Sequence, residues 1–227
     1  MKNENVLWGV KRIQGELAKL NIILDSKTIW NILRDFRKRG KIKSGVTWRR
    51  FLEMHKKSIY AMDFFTVDTI LNKRYYVFFV ISHSTKELIR FAITENPTRE
   101  FVRQQIIGLS EELRGVVYLI HDHAVQFNLK YVDYGIKGLA ISIGAPDMNA
   151  IAERFVGSVR REALDHYIIL NRQQLNRILV DYVNFYNSQR PHQGLEQQIP
   201  GGYSPQREGE ISKIPILYGL HHHYFRM

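Results

Sequence analysis

The 227 residues carry 33 Lys and Arg against 22 Asp and Glu, a formal charge of +11, with 44% hydrophobic and 12% aromatic residues. That is enough apolar side chain for one packed medium-sized domain plus a small appendage, and the basic surplus favours a polyanionic partner, nucleic acid or an anionic membrane. With no cysteine, disulfides, thiolate metal sites and cysteine nucleophiles are excluded, so any metal must be held by carboxylates or histidines. No apolar run approaches the ~20 residues that span a bilayer and "MKNENVLWGVKRIQ" has no apolar signal core, which leads to a cytoplasmic placement without a membrane partner.

Residues 8 to 40 read as two short helices around a break at Asn21 to Asp25. Ile13, Leu17 and Leu20 stripe the first; Ile29, Ile32, Leu33 and Phe36 stripe the second, which Asp25 or Ser26 can cap and Gly40 can end. The second helix shows Lys27, Asn31, Arg34 and Lys38 on its polar face, which fits the recognition helix of a DNA-binding helix-turn-helix; a plain helical hairpin fits the same pattern. The sequence therefore divides into a helix-turn-helix-like segment over 1–40, a basic linker over 41–57, a core over 58–200 and a C-terminal tail over 201–227.

From Ser58 the period changes to that of strands. "SIYAMDFFTVDTI" and "RYYVFFVISHS" form a hairpin turning at Leu71 to Lys73, and "ELIRFAIT" adds a third antiparallel strand. A helix follows from Thr98, then a short apolar run, "GVVYLIHD", with the look of a central strand, then a weaker fifth strand, "KGLAISI". "APDMNAIAERFVGSVRRE" is a further helix, and a long one runs from Asn171 to about Ser188. Three hairpin-connected strands followed by alternating helix and strand predict an α/β fold, a five-stranded mixed sheet flanked by helices.

Acids interrupt this apolar pattern at three places. Asp63 stands in the middle of "IYAMDFFTV", where an unpaired buried carboxylate would cost several kcal/mol. Asp122 follows "VVYLIH" at the end of a buried strand, the edge of an α/β sheet where ligands bind. Glu153 lies ~120° from the centre of the stripe formed by Ile151, Ala152, Phe155, Val156 and Val159, at the border of its helix. Each acid alone fits a satisfied structural carboxylate, Glu153 for instance paired with Arg160. Together they would repel one another unless a divalent ion sat between them, and such hard oxygen ligands suit Mg²⁺ or Mn²⁺.

The stretches "AMDFFTVDT", "RYYVFFVI", "ENPTREFVRQQ", "LIHDHAVQF", "APDMNAIAERFVGSVRREALDH" and "YNSQRPHQGL" resemble, in the same order, the integrase catalytic cores of bacterial insertion-sequence transposases, relatives of the retroviral integrases. The resemblance covers residues 60 to 200 and implies an RNase H-like fold. It maps the family's catalytic and metal-binding DDE triad onto Asp63, Asp122 and Glu153, with Asp68, Asp133 and Asp147 as bystanders or caps. It further implies two Mg²⁺ (or Mn²⁺) ions, cleavage and strand transfer on DNA, element ends and target DNA as partners, assembly of a homo-oligomer on DNA, and a prokaryotic, nucleoid-associated location. Asn149, Arg154, Arg160 and Arg161 lie along or beside the Glu153 helix, suited to positioning phosphates. Arg190 and His192 fall in a family motif with a structural role first, and the histidines at 221 to 223 read as surface.

Two features depart from the family pattern. Only thirty residues, 123 to 152, separate Asp122 from Glu153, a shorter stretch than is usual, with the shortfall in "FNLKYVDYG"; and "HDHA" stands where relatives carry a more charged stretch, so Ala124 replaces an acid. The opening residues lead to the expectation that an upstream DNA-binding segment is missing or separately encoded. A catalytically inactive, transposase-derived DNA-binding protein is therefore the rival reading, and a nuclease that cleaves without joining is a third.

Overall fold

The computed structural model describes residues 1–5, 8–41, 53–141 and 149–227, which divide into two compact units, Met1–His55 and Lys56–Met227. The basic linker expected over 41–57 falls mostly, and Asp147 wholly, outside the described residues.

In the first unit, α1 (Val10–Lys19) and α2 (Ser26–Lys38) bury Ile13 and Ile29. Gln14 locks the connection: its Nε2 donates to Leu24 O at 2.8 Å and its Oε1 accepts from Ser26 Oγ at 2.9 Å. Asp25 caps α2 by accepting from Thr28 N, as an N-cap aspartate should. Much of the predicted apolar stripe is exposed, including Leu20, Ile32 and Phe36.

In the second unit, five strands form one sheet in the order β3-β2-β1-β4-β5: β1 (Ile59–Asp68), β2 (Arg74–Ser82), β3 (Leu88–Thr94), β4 (Val117–His121) and β5 (Ile136–Ala140). β1 to β3 are antiparallel, while β4 runs parallel to both β1 and β5, giving the mixed sheet that the sequence predicts. Val77 to Ile81 of β2 are all buried, because both faces of the sheet are covered. On one face Met62, Phe78 and Leu119 pack with Val102, Ile106 and Leu109 of α3 (Arg99–Glu112), capped by Thr98. On the other, Phe79 lies 4.9 Å from Phe155 of α4 (Ala150–Glu162), and Phe155 meets Tyr186 of α5 (Arg172–Ser188) edge-on at 5.2 Å.

No α-helix joins β4 to β5. Two 3₁₀ turns, Val125–Phe127 and Tyr131–Tyr134, serve instead, the second ending at Gly135 in the left-handed conformation, φ 69°. The short "FNLKYVDYG" stretch thus has its consequence here. The tail forms a hairpin, β6 (Ile211–Ile216) and β7 (His221–Arg226), within this unit. The His221 to His223 run is half-buried rather than free surface: the His221 ring stacks on Phe185 at 4.7 Å and its Nε2 bonds Glu162 O at 2.7 Å.

Candidate active site

β1 and β4 run parallel in register, Ala61 opposite Ile120. Asp63 and Asp122 each stand two residues beyond that pair, so the middle of β1 and the end of β4 bring them to matching places. Strand alternation sets the face: Met62 and Leu119 belong to the α3 side, which puts Asp63 and Asp122 on the α4 side. α4 supplies the third acid. Its first turn holds Glu153, exposed, whose backbone N donates to Asn149 O at 3.1 Å.

Asn149 is the N-cap residue of α4 yet makes no capping bond with its side chain. Its Nδ2 donates to Asp63 Oδ2 at 2.8 Å, and Phe64 N donates to Asp63 Oδ1 at 2.7 Å. Burial nevertheless pushes the Asp63 carboxyl above its ordinary range, against those two bonds, and the Asp122 and Glu153 charges push the same way. Asn149 is itself buried, and its Oδ1 has no hydrogen-bond partner among the described residues. Asp122 Oδ1 accepts from Ala124 N at 2.9 Å, at the rim of a cavity of about 450 Å³ lined by His121, Phe127, Tyr131 and Gly138. Among the described residues, no three His, Asp or Glu side chains are grouped closely enough to hold a metal ion. The three acids thus do not close into a coordination set, and one oxygen of Asp63 is engaged by Asn149.

Residues 134–200 match the model of the integrase core domain family. The chain is 24% identical over 220 residues to an uncharacterized 31 kDa protein of insertion element IS600 from Shigella sonnei, covering 86% of this chain and 80% of that one. It is 21% identical over 217 residues to an uncharacterized 31.7 kDa protein of insertion element IS407 from Burkholderia multivorans, covering 90% and 78%. The chain is thus similar to insertion-element proteins and carries a stretch that matches the integrase core. Its fold is the RNase H-like fold of integrase cores. A chain of the simian T-cell lymphotropic virus intasome superposes with a TM-score of 0.54 at 10% identity, over 75% of this chain and 67% of that one. The HTLV-2 integrase catalytic core domain, solved in complex with magnesium, superposes with a TM-score of 0.51 at 10% identity, over 65% and 95%.

Within this integrase-like core the other predicted site residues are dispersed. Arg160 does not pair with Glu153: its guanidinium donates to Thr66 O of β1 at 2.8 Å. Arg154 and Arg161 are exposed, and Arg161 has Glu162 at 3.7 Å. Lys27, Asn31 and Arg34 are exposed on α2, with Arg34 over the Trp30 ring at 4.6 Å. Asp68 pairs with Arg74 at 2.7 Å and Asp133 is exposed in a 3₁₀ turn.

The "QRPHQG" motif is structural in this fold. Arg190 forks onto Glu162 with two bonds of 2.7 Å, Tyr182 OH adds a third at 3.1 Å, and buried His192 bonds Tyr186 O at 2.8 Å. Burial alone would raise the Glu162 carboxyl, but the Arg190 bonds and charge and the Tyr182 hydroxyl hold it below its ordinary range. Sequence reasoning passed over Glu162, whose partner lies 28 residues away, and Lys86, which sits in a polar turn with no periodic signal.

Proposed function

We propose that the protein is a DDE transposase that cleaves DNA and joins the freed 3′-hydroxyl to a target, with Asp63, Asp122 and Glu153 as its acids. The observation that carries this reading is the matched placement of Asp63 in β1 and Asp122 at the end of β4, on the face where Asn149 ties the Glu153 helix to Asp63. Three carboxylates, two of which add negative charge against a buried Asp63, are the donor chemistry suited to Mg²⁺ or Mn²⁺. Those three residues would hold the ions, with Asn149 releasing the Asp63 oxygen. When bound, the ions supply an activated nucleophile and charge stabilisation for the departing oxygen.

The chain's own residues do the rest. The β1 and β4 backbones fix the two aspartates, and Arg160, anchored on Thr66 O further along β1, presents positive charge to DNA. Exposed Arg154 and Arg161, with Lys27, Asn31 and Arg34 on α2 acting as a helix-turn-helix, add DNA contacts. The partners are element ends and target DNA, and the protein works as a homo-oligomer on DNA in the cytoplasm; among the described residues no helix is long and apolar enough to cross a membrane.

The test is Mg²⁺- or Mn²⁺-dependent nicking and strand transfer on DNA carrying the element's own ends, abolished by Asp63→Asn and by Glu153→Gln. Wild type as inert as both variants, with all three binding DNA, would overturn the enzymatic reading. Two observations favour that outcome: the described acids do not close into a metal-holding group, and the β4 to β5 connection has no α-helix. The protein would then be a DNA-binding derivative of a transposase.

A further inference from the structure

The β2–β3 turn and the "RPHQG" turn enclose a cavity of about 360 Å³ against one face of α4. Ile151, Arg154, Ser158 and Arg161 line it at i, i+3, i+7 and i+10, a face ~120° around the helix from Glu153 and ~140° from Arg160. The cavity is therefore separate from the acids. Arg190 also lines it, but its guanidinium is taken by Glu162. Lys86 and Arg154 have no acidic partner among the described residues, and no acidic side chain lines the cavity. Buried Ser158 and the Gln193 and Gln197 side chains add neutral donors.

Lys86 shows that this arrangement has a cost. Its backbone is left-handed, φ 62°, a conformation that favours glycine or asparagine over lysine. Its half-buried side chain runs past Gly194, and Nζ donates to His83 O at 2.7 Å. Burial first, then the Lys56 and Arg154 charges, lower its ammonium to about 8. Lys86 thus brings a half-buried ammonium without an acidic partner among the described residues to the same cavity as Arg154.

We propose that this cavity is a second DNA-contact site that takes one backbone phosphate of a duplex, held by Lys86 and Arg154 with Arg161 at its mouth. A phosphate oxyanion supplies the negative charge that the protein withholds, and the hydroxyl and amide donors suit its remaining oxygens. The inference rests on the proposed function for the identity of the phosphate carrier. The cation geometry stands without it.

The experiment measures binding of a short fluorescent DNA duplex to the full chain across a salt series, for wild type, Lys86→Gly and Arg154→Gln, beside thermal unfolding of each. Both variants are expected to lose several-fold in affinity and to flatten the salt dependence by about one counterion each. Glycine suits the left-handed backbone, so Lys86→Gly should melt no lower than wild type, which separates lost contact from lost fold. In parallel, amine acylation of Lys86 is read by mass spectrometry with duplex or with inorganic phosphate present. Protection by the duplex supports the site. Protection by inorganic phosphate alone would make it a small-anion site, and wild-type affinity and salt slope in both variants would likewise overturn the proposal. If nicking is absent while Lys86→Gly weakens binding, the enzymatic reading alone fails.

Discussion

Asn149 donates its side-chain amide to Asp63 Oδ2 at 2.8 Å, joining the first turn of α4 to the middle of β1 across 86 residues of chain. An asparagine at a helix N-cap ordinarily accepts from its own helix. Here that bond is absent and the amide serves another element instead. The start of the helix that carries Glu153 is thereby tied to β1, while the Glu153 side chain itself stays exposed. Losing a bond to a charged acceptor costs about 2 kcal/mol, so Asn149→Ala should lower the melting temperature measurably. Asn149→Asp should lower it further, because it sets a second charge against Asp63.

Asp63 itself is held at a cost to the fold. Burial, and then the charges of Asp122 and Glu153, work against its ionised form. Asp63→Asn keeps the shape and removes the charge: its one acceptor oxygen can keep Phe64 N, and its amide can donate to the unpartnered Asn149 Oδ1 once the Asn149 amide turns over. This variant should lose activity and yet melt above wild type at neutral pH, the usual trade between a functional charge and stability. A melting temperature below wild type in calorimetry would show that the carboxylate is a structural asset instead.

The strands, both aspartates and the helix carrying Glu153 were legible because their signals are local: β-period alternation broken by an acid, or an acid directly after an apolar run. What escaped depends on distant pairing. Nothing near Asn149 points to Asp63, and nothing near Glu162 points to Arg190. The tail hairpin was hidden by Pro215, tolerated because a two-stranded sheet is all edge, and by three consecutive histidines that obscure alternation. Lys86 was invisible for a different reason: the strain of its backbone exists only in the folded turn.

The cavity beside Asp122 leans on one close approach. A Cβ on Gly138 of β5 would lie 2.2 Å from the Tyr131 ring, which is buried, 5.0 Å from the His121 ring, and fixed by its hydroxyl on Phe127 O at 2.6 Å. Overpacking such a site costs about 1–3 kcal/mol. Gly138→Ala should therefore lower the melting temperature and, by shifting Tyr131 and His121, reduce nicking, whereas Gly157→Ala, with open space around its Cβ, should lower neither.

The Glu162, Arg190 and Tyr182 cluster sets a pH limit on stability. Because the folded Glu162 carboxyl lies below its ordinary 4.5, its contribution is present above that value and is lost as pH falls through the folded one. Arg190→Ala leaves a largely buried carboxylate with only the Tyr182 hydroxyl and the longer Arg161 contact, and should cost about 3 kcal/mol at neutral pH. Glu162→Gln should flatten the fall in melting temperature below pH 4.5, and an unchanged acid limb in that variant would assign the limb to other carboxylates.

Divalent-ion binding separates an assembled acid site from a relic, and it can be read without any DNA. An ion that binds only the folded state raises stability by RT ln(1 + [L]/Kd), so the melting temperature of a competent site climbs with Mn²⁺ or Mg²⁺ concentration. In this protein that requires Asn149 to release Asp63 and exposed Glu153 to close on the aspartates, since the described acids stand apart. Wild type should gain several degrees at millimolar Mn²⁺, and Asp63→Asn and Glu153→Gln should each lose most of that gain. Asn149→Ala supplies the decisive comparison: freed of its competing bond, Asp63 should respond at lower Mn²⁺ than in wild type. Equal, small responses in all four proteins would mean that the shortened connection no longer delivers Glu153 to the aspartates.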